Sequence, residues 1–189
     1  IGQRFVQHNN VIESAKKAGV KHIIYTSLLG ATNDNTVKSL AGEHVETEAA
    51  LKASGITYTT LRNGWYTENY TASIPAALAN NAFYGSAKNG KISSVLRAEL
   101  AEAAVNVALS EGHENQTYEL AGSTSWTLAD LAAEISKQTG KGIPYVDIPA
   151  ADYAAALVQA GLDEGFAGLI AQWDVDASNG CLLYTSPSP

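Results

Sequence analysis

The sequence predicts an α/β fold in which a parallel sheet is covered by helices on both faces. Three observations carry the prediction. Short runs rich in Val, Ile, Thr and Tyr alternate with longer stretches whose apolar residues recur every three or four positions. Gly19, Gly55 and Gly161 each close one of the helical stretches. Strands separated by helices imply right-handed strand–helix–strand units, whose strands run parallel.

The elements follow in order. Asn10 to Ala18 reads as a helix with Val11, Ile12 and Ala15 on one face, and Val20 to Ser27 as an apolar strand ending in three hydroxyl residues. Leu28 to Ser39 is a polar loop. Leu40 to Ala53 is helical with Val45 and Leu51 turned inward, Ile56 to Arg62 is the next strand, and Glu68 to Asn80 is a helix interrupted near Pro75. From Ala82 to Ser94 the pattern weakens into short strands around Gly85 and Asn89-Gly90. Arg97 to Leu109 is a helix, with Leu100, Ala104, Val107 and Ala108 at helical spacing. Thr117 to Ala121 is a strand, and Thr127 with Asp130 three residues on forms a capping-box start for the next helix. Ile143 to Ile148 is a strand, Ala150 to Ala160 an Ala-rich helix, and a further helix runs up to Trp173. Cys181 to Pro189 fits neither period and reads as a disordered or non-native tail.

Composition narrows the function classes. The 189 residues support one domain, or one domain with a small lobe. A formal charge of −7 argues against nucleic acid, because neutralising phosphates takes clustered Lys and Arg. No run approaches the roughly 18 apolar residues of a membrane span, and no basic start leads into an apolar secretory segment. Cys181 stands alone, which excludes an intrachain disulfide or a multi-cysteine metal site and suits a cytoplasmic setting. No metal site is expected, since His8, His22 and His113 show no ligand spacing. The chain has no Met, even at position 1, so it is expected to be a piece of a longer protein.

The stretch Thr59-Thr60-Leu61-Arg62-Asn63-Gly64-Trp65-Tyr66-Thr67-Glu68-Asn69 carries the most information. A strand empties into a turn holding Asn63 and Gly64, then into two aromatics and a helix start. Ligands of open α/β sheets sit at the carboxyl ends of strands, so polar and aromatic groups there are well placed to touch one. Asn and Gly tolerate unusual backbone angles and let a main chain approach a flat ligand. The structural alternative is a loop that packs Trp65 against the fold.

The sequence resembles the NmrA-like, atypical branch of the short-chain dehydrogenase/reductases, and within it the bacterial NAD(P)H-dependent quinone oxidoreductases. The residues carrying the resemblance are Asn10 to Leu29, Glu43 to Glu48 and Ser54 to Tyr70. They continue through Gly90-Lys91-Ile92, Arg97, Tyr118 to Gly122 and Trp126 to Leu128. The resemblance implies a Rossmann-like, doubly wound parallel sheet whose N-terminal strands are missing, with a small C-terminal α/β substrate lobe. Residues 1–180 are expected to be the later part of the NAD(P)-binding domain, and residues 181–189 a tail. Family members begin with a strand and a Gly-rich turn that cradles the cofactor pyrophosphate, and nothing of that kind stands before Ile1, so this chain by itself is expected to bind NADPH weakly or not at all and to be inactive alone.

What the resemblance implies chemically is hydride transfer from NADPH, with NADH as the alternative, to a small-molecule quinone. Asn63, Gly64, Trp65, Tyr66, Thr67 and Glu68 would wrap the nicotinamide half, and Arg97 would be a further cofactor contact or a solvated helix-start charge. Typical superfamily members carry a Tyr and a Lys four residues apart; here His44 and Glu48 share that face. Glu48 is expected to raise the pKa of His44, so that an imidazolium could protonate the quinone oxygen. A half-exposed helix histidine paired with Glu43 or Glu48 is the alternative. Ser27 stands where the superfamily often keeps a catalytic hydroxyl, or it caps the strand end. Two rivals to quinone reduction are reduction of another flat acceptor and a dinucleotide-binding redox sensor without turnover. No membrane partner is expected, and a homodimer is left open.

Overall fold

A computed structural model of the protein describes residues 3–32 and 37–184. Parts of the expected Leu28–Ser39 loop and of the tail therefore lie outside the described residues. The chain divides into two compact units, Ile1–Gly64 with Val95–Ala121, and Trp65–Ser94 with Gly122–Pro189.

The first unit holds a three-stranded parallel sheet. Its strands are β1 (His22–Leu28), β2 (Thr57–Asn63) and β4 (Gln116–Leu120), in the order β1-β2-β4. The central position of β2 explains its burial: Thr59, Thr60, Leu61 and Arg62 are all buried, whereas β1 is half-buried along most of its length. Helix α1 (Arg4–Lys17) packs on α2 (Lys38–Ala53), and α2 packs on β1 and β2. The expected helix at Asn10 starts six residues earlier, and of its proposed inner face only Ile12 is buried; Val11 is 65% exposed. Likewise Leu51 of α2 is buried but Val45 is exposed. Helix α5 (Arg97–Leu109) has the expected bounds and buries Leu100 and Val107, leaving Ala108 exposed.

The second unit contains the short helices α3 (Glu68–Thr71) and α4 (Ile74–Asn80), split at Ala72-Ser73 with Pro75 in the first turn of α4, so the expected interruption lies near the proline. A second parallel pair joins β3 (Phe83–Gly85) to β5 (Tyr145–Asp147), so the expected strand Ile143–Ile148 is pared to three residues. Around the pair lie α6 (Leu128–Thr139), α7 (Ala150–Gln159) and α8 (Glu164–Ser178); α8 runs five residues past the expected end at Trp173. Thr127 caps α6 as its sequence predicts: its Oγ1 accepts from the Asp130 N–H at 3.2 Å, and the Asp130 carboxylate accepts from the Thr127 N–H at 2.9 Å. Gly85 is closely packed: a Cβ there would stand 2.8 Å from both Asp174 Oδ2 and Leu128 Cδ1, so those side-chain ends would have to shift. Residues 181–184, expected to be unstructured, take part in this unit. Leu182 is buried and its carbonyl accepts from the Ser93 N–H at 2.9 Å.

Candidate functional site

The parallel register sets Ser27 beside Arg62 and Arg62 beside Glu119, one row before the carboxyl ends of β1, β2 and β4. Residues paired across adjacent strands share a face, so this row projects toward one side of the sheet. Glu48 reaches the row from α2. The Arg62 guanidinium forks onto Glu48, with Nε donating to Oε1 at 2.9 Å and Nη2 to Oε2 at 2.7 Å. Its third edge, Nη1, donates to Glu119 Oε1 at 2.8 Å. The Ser27 hydroxyl donates to Glu48 Oε1 at 2.6 Å, and the Gly30 N–H to Glu119 Oε2 at 2.8 Å. One guanidinium thus ties the ends of three strands, α2 and the loop after β1 together. Bidentate carboxylate pairing is the geometry for which Arg is fitted and Lys is not.

Electrostatics follow the geometry. Burial alone pushes the Glu48 carboxyl up, but hydrogen bonds from Arg62 and Ser27 and the charge of Arg62 together hold it below the usual range. The Arg62 guanidinium is raised further, chiefly by its hydrogen bonds to Glu48.

The expected pairing of His44 with Glu48 is not what forms. Glu48 is turned to Arg62, and His44 meets Tyr25, with 2.7 Å between Nδ1 and the phenol oxygen. Arg4 Nη1 lies 3.5 Å from Nε2. A guanidinium only donates, so Nε2 accepts and Nδ1 carries the proton toward Tyr25. Burial first, then the nearby charges of Arg4 and His8, lower the His44 pKa to about 4 against the opposing pull of Glu48 and Glu43. The ring is neutral near pH 7, the reverse of the expected imidazolium. Glu43 pairs with Arg4 instead, accepting from its backbone N–H at 2.9 Å.

At the strand end, the side-chain oxygen of Asn63 is buried and accepts no hydrogen bond among the described residues. A buried acceptor left unpaired costs free energy, so it marks a place where a donor belongs. Gly64 is buried, and the close approach it allows is to β4: its N–H donates to the Leu120 carbonyl at 2.6 Å, and a Cβ there would stand 2.7 Å from that oxygen. Arg97 opens α5 and is exposed.

The remaining expected site residues belong to the second unit. Trp65 is buried and packs edge-on against Trp173, with ring centroids 5.2 Å apart. Thr67 Oγ1 lies 2.8 Å from Ser94 Oγ, which also accepts from Trp126 Nε1 at 3.2 Å. Tyr66 and Glu68 are half-buried. The packing explanation of Trp65 and the hydroxyl pairing of Thr67 are thus both realised inside this unit.

Residues 2–111 match a family described as NAD(P)H-binding. The chain belongs to that family. It is 55% identical over 183 residues to quinone oxidoreductase 2 of Escherichia coli strain K12, a match covering 97% of this chain and 63% of that protein. An NmrA-like family domain-containing oxidoreductase of Aspergillus flavus is 35% identical over 150 residues, or 72% of this chain and 45% of its own length. Among solved structures, the NADPH-dependent quinone oxidoreductase of Escherichia coli in complex with NADPH superposes with a TM-score of 0.93 at 54% identity, over 98% of this chain and 65% of that one. The resemblance drawn from Asn10–Leu29 and Ser54–Tyr70 is therefore to the right group, and the α/β fold is Rossmann-like. The chain spans a little under two thirds of the length of the Escherichia coli enzyme and less than half of the Aspergillus flavus protein.

For an NAD(P)H-binding chain the fit of a cofactor rests on Asn63, whose unpaired amide oxygen matches the N–H groups of a nicotinamide carboxamide. Sequence reasoning passed over Arg62 and Glu119 as site residues and assigned Glu48 the wrong partner. A lone charged residue in the central strand Thr57–Asn63 was the available signal, since burying Arg demands a carboxylate. Among the described residues no group of three His, Cys, Asp or Glu is placed to hold a metal ion, and no helix is long and apolar enough to cross a membrane.

Proposed function

We propose that this chain serves hydride transfer from NADPH, with NADH as the alternative, to a quinone. The observation that carries the proposal is the high identity to the quinone oxidoreductase of Escherichia coli, which extends over nearly the whole of this chain. Asn63 supports it locally. In this reading Asn63 and the backbone at Gly64 hold the carboxamide, while Tyr66 and Trp65 border the rings. Thr67, Glu68 and Arg97 supply further contacts to the cofactor.

The bound cofactor supplies the hydride, so the protein has to orient two flat rings and keep water away. Two electrons and one proton pass to the quinone as hydride, and a second proton completes the hydroquinone. In this reading His44 and Ser27 are not the proton source, because the lowered His44 pKa disfavours an imidazolium near pH 7 and the Ser27 hydroxyl already donates to Glu48. Solvent protonates the quinol oxygen, and the two side chains act by holding Tyr25 and Glu48 in place. A cytoplasmic setting and a homodimer belong to the same proposal, the latter checked by solution mass.

The test is a titration of the full-length protein containing this chain with NADPH, followed by addition of 1,4-benzoquinone and read as loss of reduced-nicotinamide absorbance. Consumption of NADPH only in the presence of quinone is expected, and Asn63→Ala should weaken NADPH binding by roughly five- to tenfold, the worth of one hydrogen bond. Binding without turnover would make the protein a dinucleotide sensor instead. Unaltered affinity in Asn63→Ala would remove Asn63 from the site.

A further inference from the structure

The chain leaving β3 presents three consecutive backbone donors, and each is taken by a side chain from far along the sequence. The Ser86 N–H donates to Asp174 Oδ2 of α8 at 2.8 Å, the Ala87 N–H to the Tyr145 phenol oxygen at 3.1 Å, and the Lys88 N–H to Asp147 Oδ1 at 2.8 Å. Tyr145 donates to that same Asp147 oxygen at 2.7 Å. Lys88 turns the segment with a φ of 50°, and Gly90 then lies so close to α8 that a Cβ there would stand 2.5 Å from the Ala177 carbonyl oxygen. Further on, the Ile92 N–H donates to the Trp126 carbonyl at 2.8 Å, and Ser94 Oγ meets both Trp126 Nε1 and Thr67 Oγ1. Residues 86–94 thus form a strap, fastened to α8 and β5 at one end and to the Thr67–Trp126 corner at the other.

One fastener differs in kind. Asp174 is 6% exposed, and no cation among the described residues is one of the groups that set its charge state. Burial disfavours the anion most, the Ser86 N–H opposes that effect, and Asp147 of β5 adds repulsion. Tyr70 of α3 and Tyr153 of α7 also feel the carboxylate, and burial together with Asp174 holds both phenols above their usual range. Leu128 of α6, which with Asp174 crowds Gly85, brings no charge. An ionised Asp174 is therefore a buried anion facing a second carboxylate and neutral phenols, whereas its protonated form is a neutral hydrogen-bonding group in the same place.

We propose that residues 86–94 are a pH-responsive strap, held on α8 while Asp174 is protonated and loosened, with Ser94 at the Thr67 corner, as Asp174 ionises. Fastened, the carboxyl has a pKa of about 6; released into water it returns to ~3.9, so the fastened state binds more protons between these values and opening becomes easier as pH rises. The opening constant should rise about tenfold between about pH 5 and pH 8. Every group involved belongs to the second unit, so the device stands whatever cofactor the protein uses.

The test is amide hydrogen exchange of the full-length protein containing this chain, read by mass spectrometry on peptides covering the strap and on peptides from α6 in the same unit. After division by the intrinsic exchange rate at each pH, the strap should show the expected rise, and α6 should exchange more slowly than the strap at both ends of the range. Asp174→Asn keeps an oxygen for the Ser86 N–H and has no proton to lose, so its strap should open equally at both. Asp147→Asn keeps an acceptor for Lys88 and Tyr145 while removing the repelling charge, so its rise should be smaller than that of the unsubstituted protein. Corrected exchange of the strap that is independent of pH overturns the proposal. So does a rise that survives in Asp174→Asn, which would assign it to another group. Strap and α6 peptides opening in step would overturn it as well, since the event would then be unfolding of the whole unit.

Discussion

Two buried carboxylates in this molecule have opposite fates. Glu48 in the first unit receives two N–H groups of Arg62 and the Ser27 hydroxyl, and its pKa is held down. Asp174 on α8 in the second unit receives the Ser86 N–H at 2.8 Å, and its pKa is pushed up to about 6. Burial is the largest influence on both. What differs is the company: a guanidinium in one case; in the other Asp147, whose negative charge adds to the rise, with Tyr70 and Tyr153 near enough to feel the carboxylate. A buried charge is kept by its partner, not by the fold around it.

The largest effect should come from breaking the first arrangement. Arg62→Met leaves Glu48 buried without its guanidinium and Glu119 without its ion pair. Removing one member of a buried pair costs about 3–5 kcal/mol, which chemical denaturation at pH 7 would detect directly. The variant should regain part of that loss at low pH, as the stranded carboxyls take up protons. A loss under about 1 kcal/mol would mean that the fork contributes little to holding the strand ends.

The second arrangement predicts a pH signature. Asp174 has a folded pKa of about 6, above its ordinary ~3.9, so between those values the native state binds more protons than the unfolded one. Its contribution to stability is full below ~3.9 and is lost as pH rises through about 6. His44 works in the opposite sense. Its folded pKa of about 4 lies below the ordinary ~6.5, so stability rises with pH across that interval. The two slopes partly cancel in the unsubstituted protein. Asp174→Asn, which keeps an oxygen for the Ser86 N–H, should uncover rising stability between about pH 4 and 6.5, and it should be neutral or more stable by about 1–2 kcal/mol at pH 7. His44→Gln should uncover the falling slope of Asp174. Parallel slopes in the two variants would contradict the opposed shifts.

The same contrast explains what was legible in the sequence. Local signals were read well: the bounds of α5, the Thr127–Asp130 capping box and the break near Pro75 all depend on residues within a few positions of one another. The α/β class followed from the same alternation. Helix faces were read less well, because which side of α1 or α2 meets the sheet depends on elements far along the chain. Val11 and Val45 fit the helical period and are nonetheless exposed. The partner of Glu48 was missed for a related reason. His44 is four residues away and Arg62 is fourteen, but only the strand register brings Arg62 under α2. The close approach of Gly64 to Leu120 was missed because that strand forms much later in the chain.

The smallest predicted effect sharpens the comparison most. Ser27 is one of the two groups that donate to Glu48, and its hydroxyl bond at 2.6 Å is a charge-assisted one. Ser27→Ala removes that bond but leaves the Arg62 fork, so Glu48 keeps two N–H donors and its negative charge. The expected loss is about 1–2 kcal/mol in stability, within the range for a hydrogen bond to a charged group. Because the Ser27 bond helps hold the Glu48 pKa down, the acid limb of the stability curve should move to slightly higher pH, the carboxyl protonating more readily once a donor is gone. A hydroxyl that served only the chemistry at the strand end would leave both quantities unchanged while altering turnover. A fall in turnover with stability and acid limb intact would therefore transfer Ser27 from the scaffold to the reacting groups, and would show that Arg62 alone is enough to keep Glu48 charged.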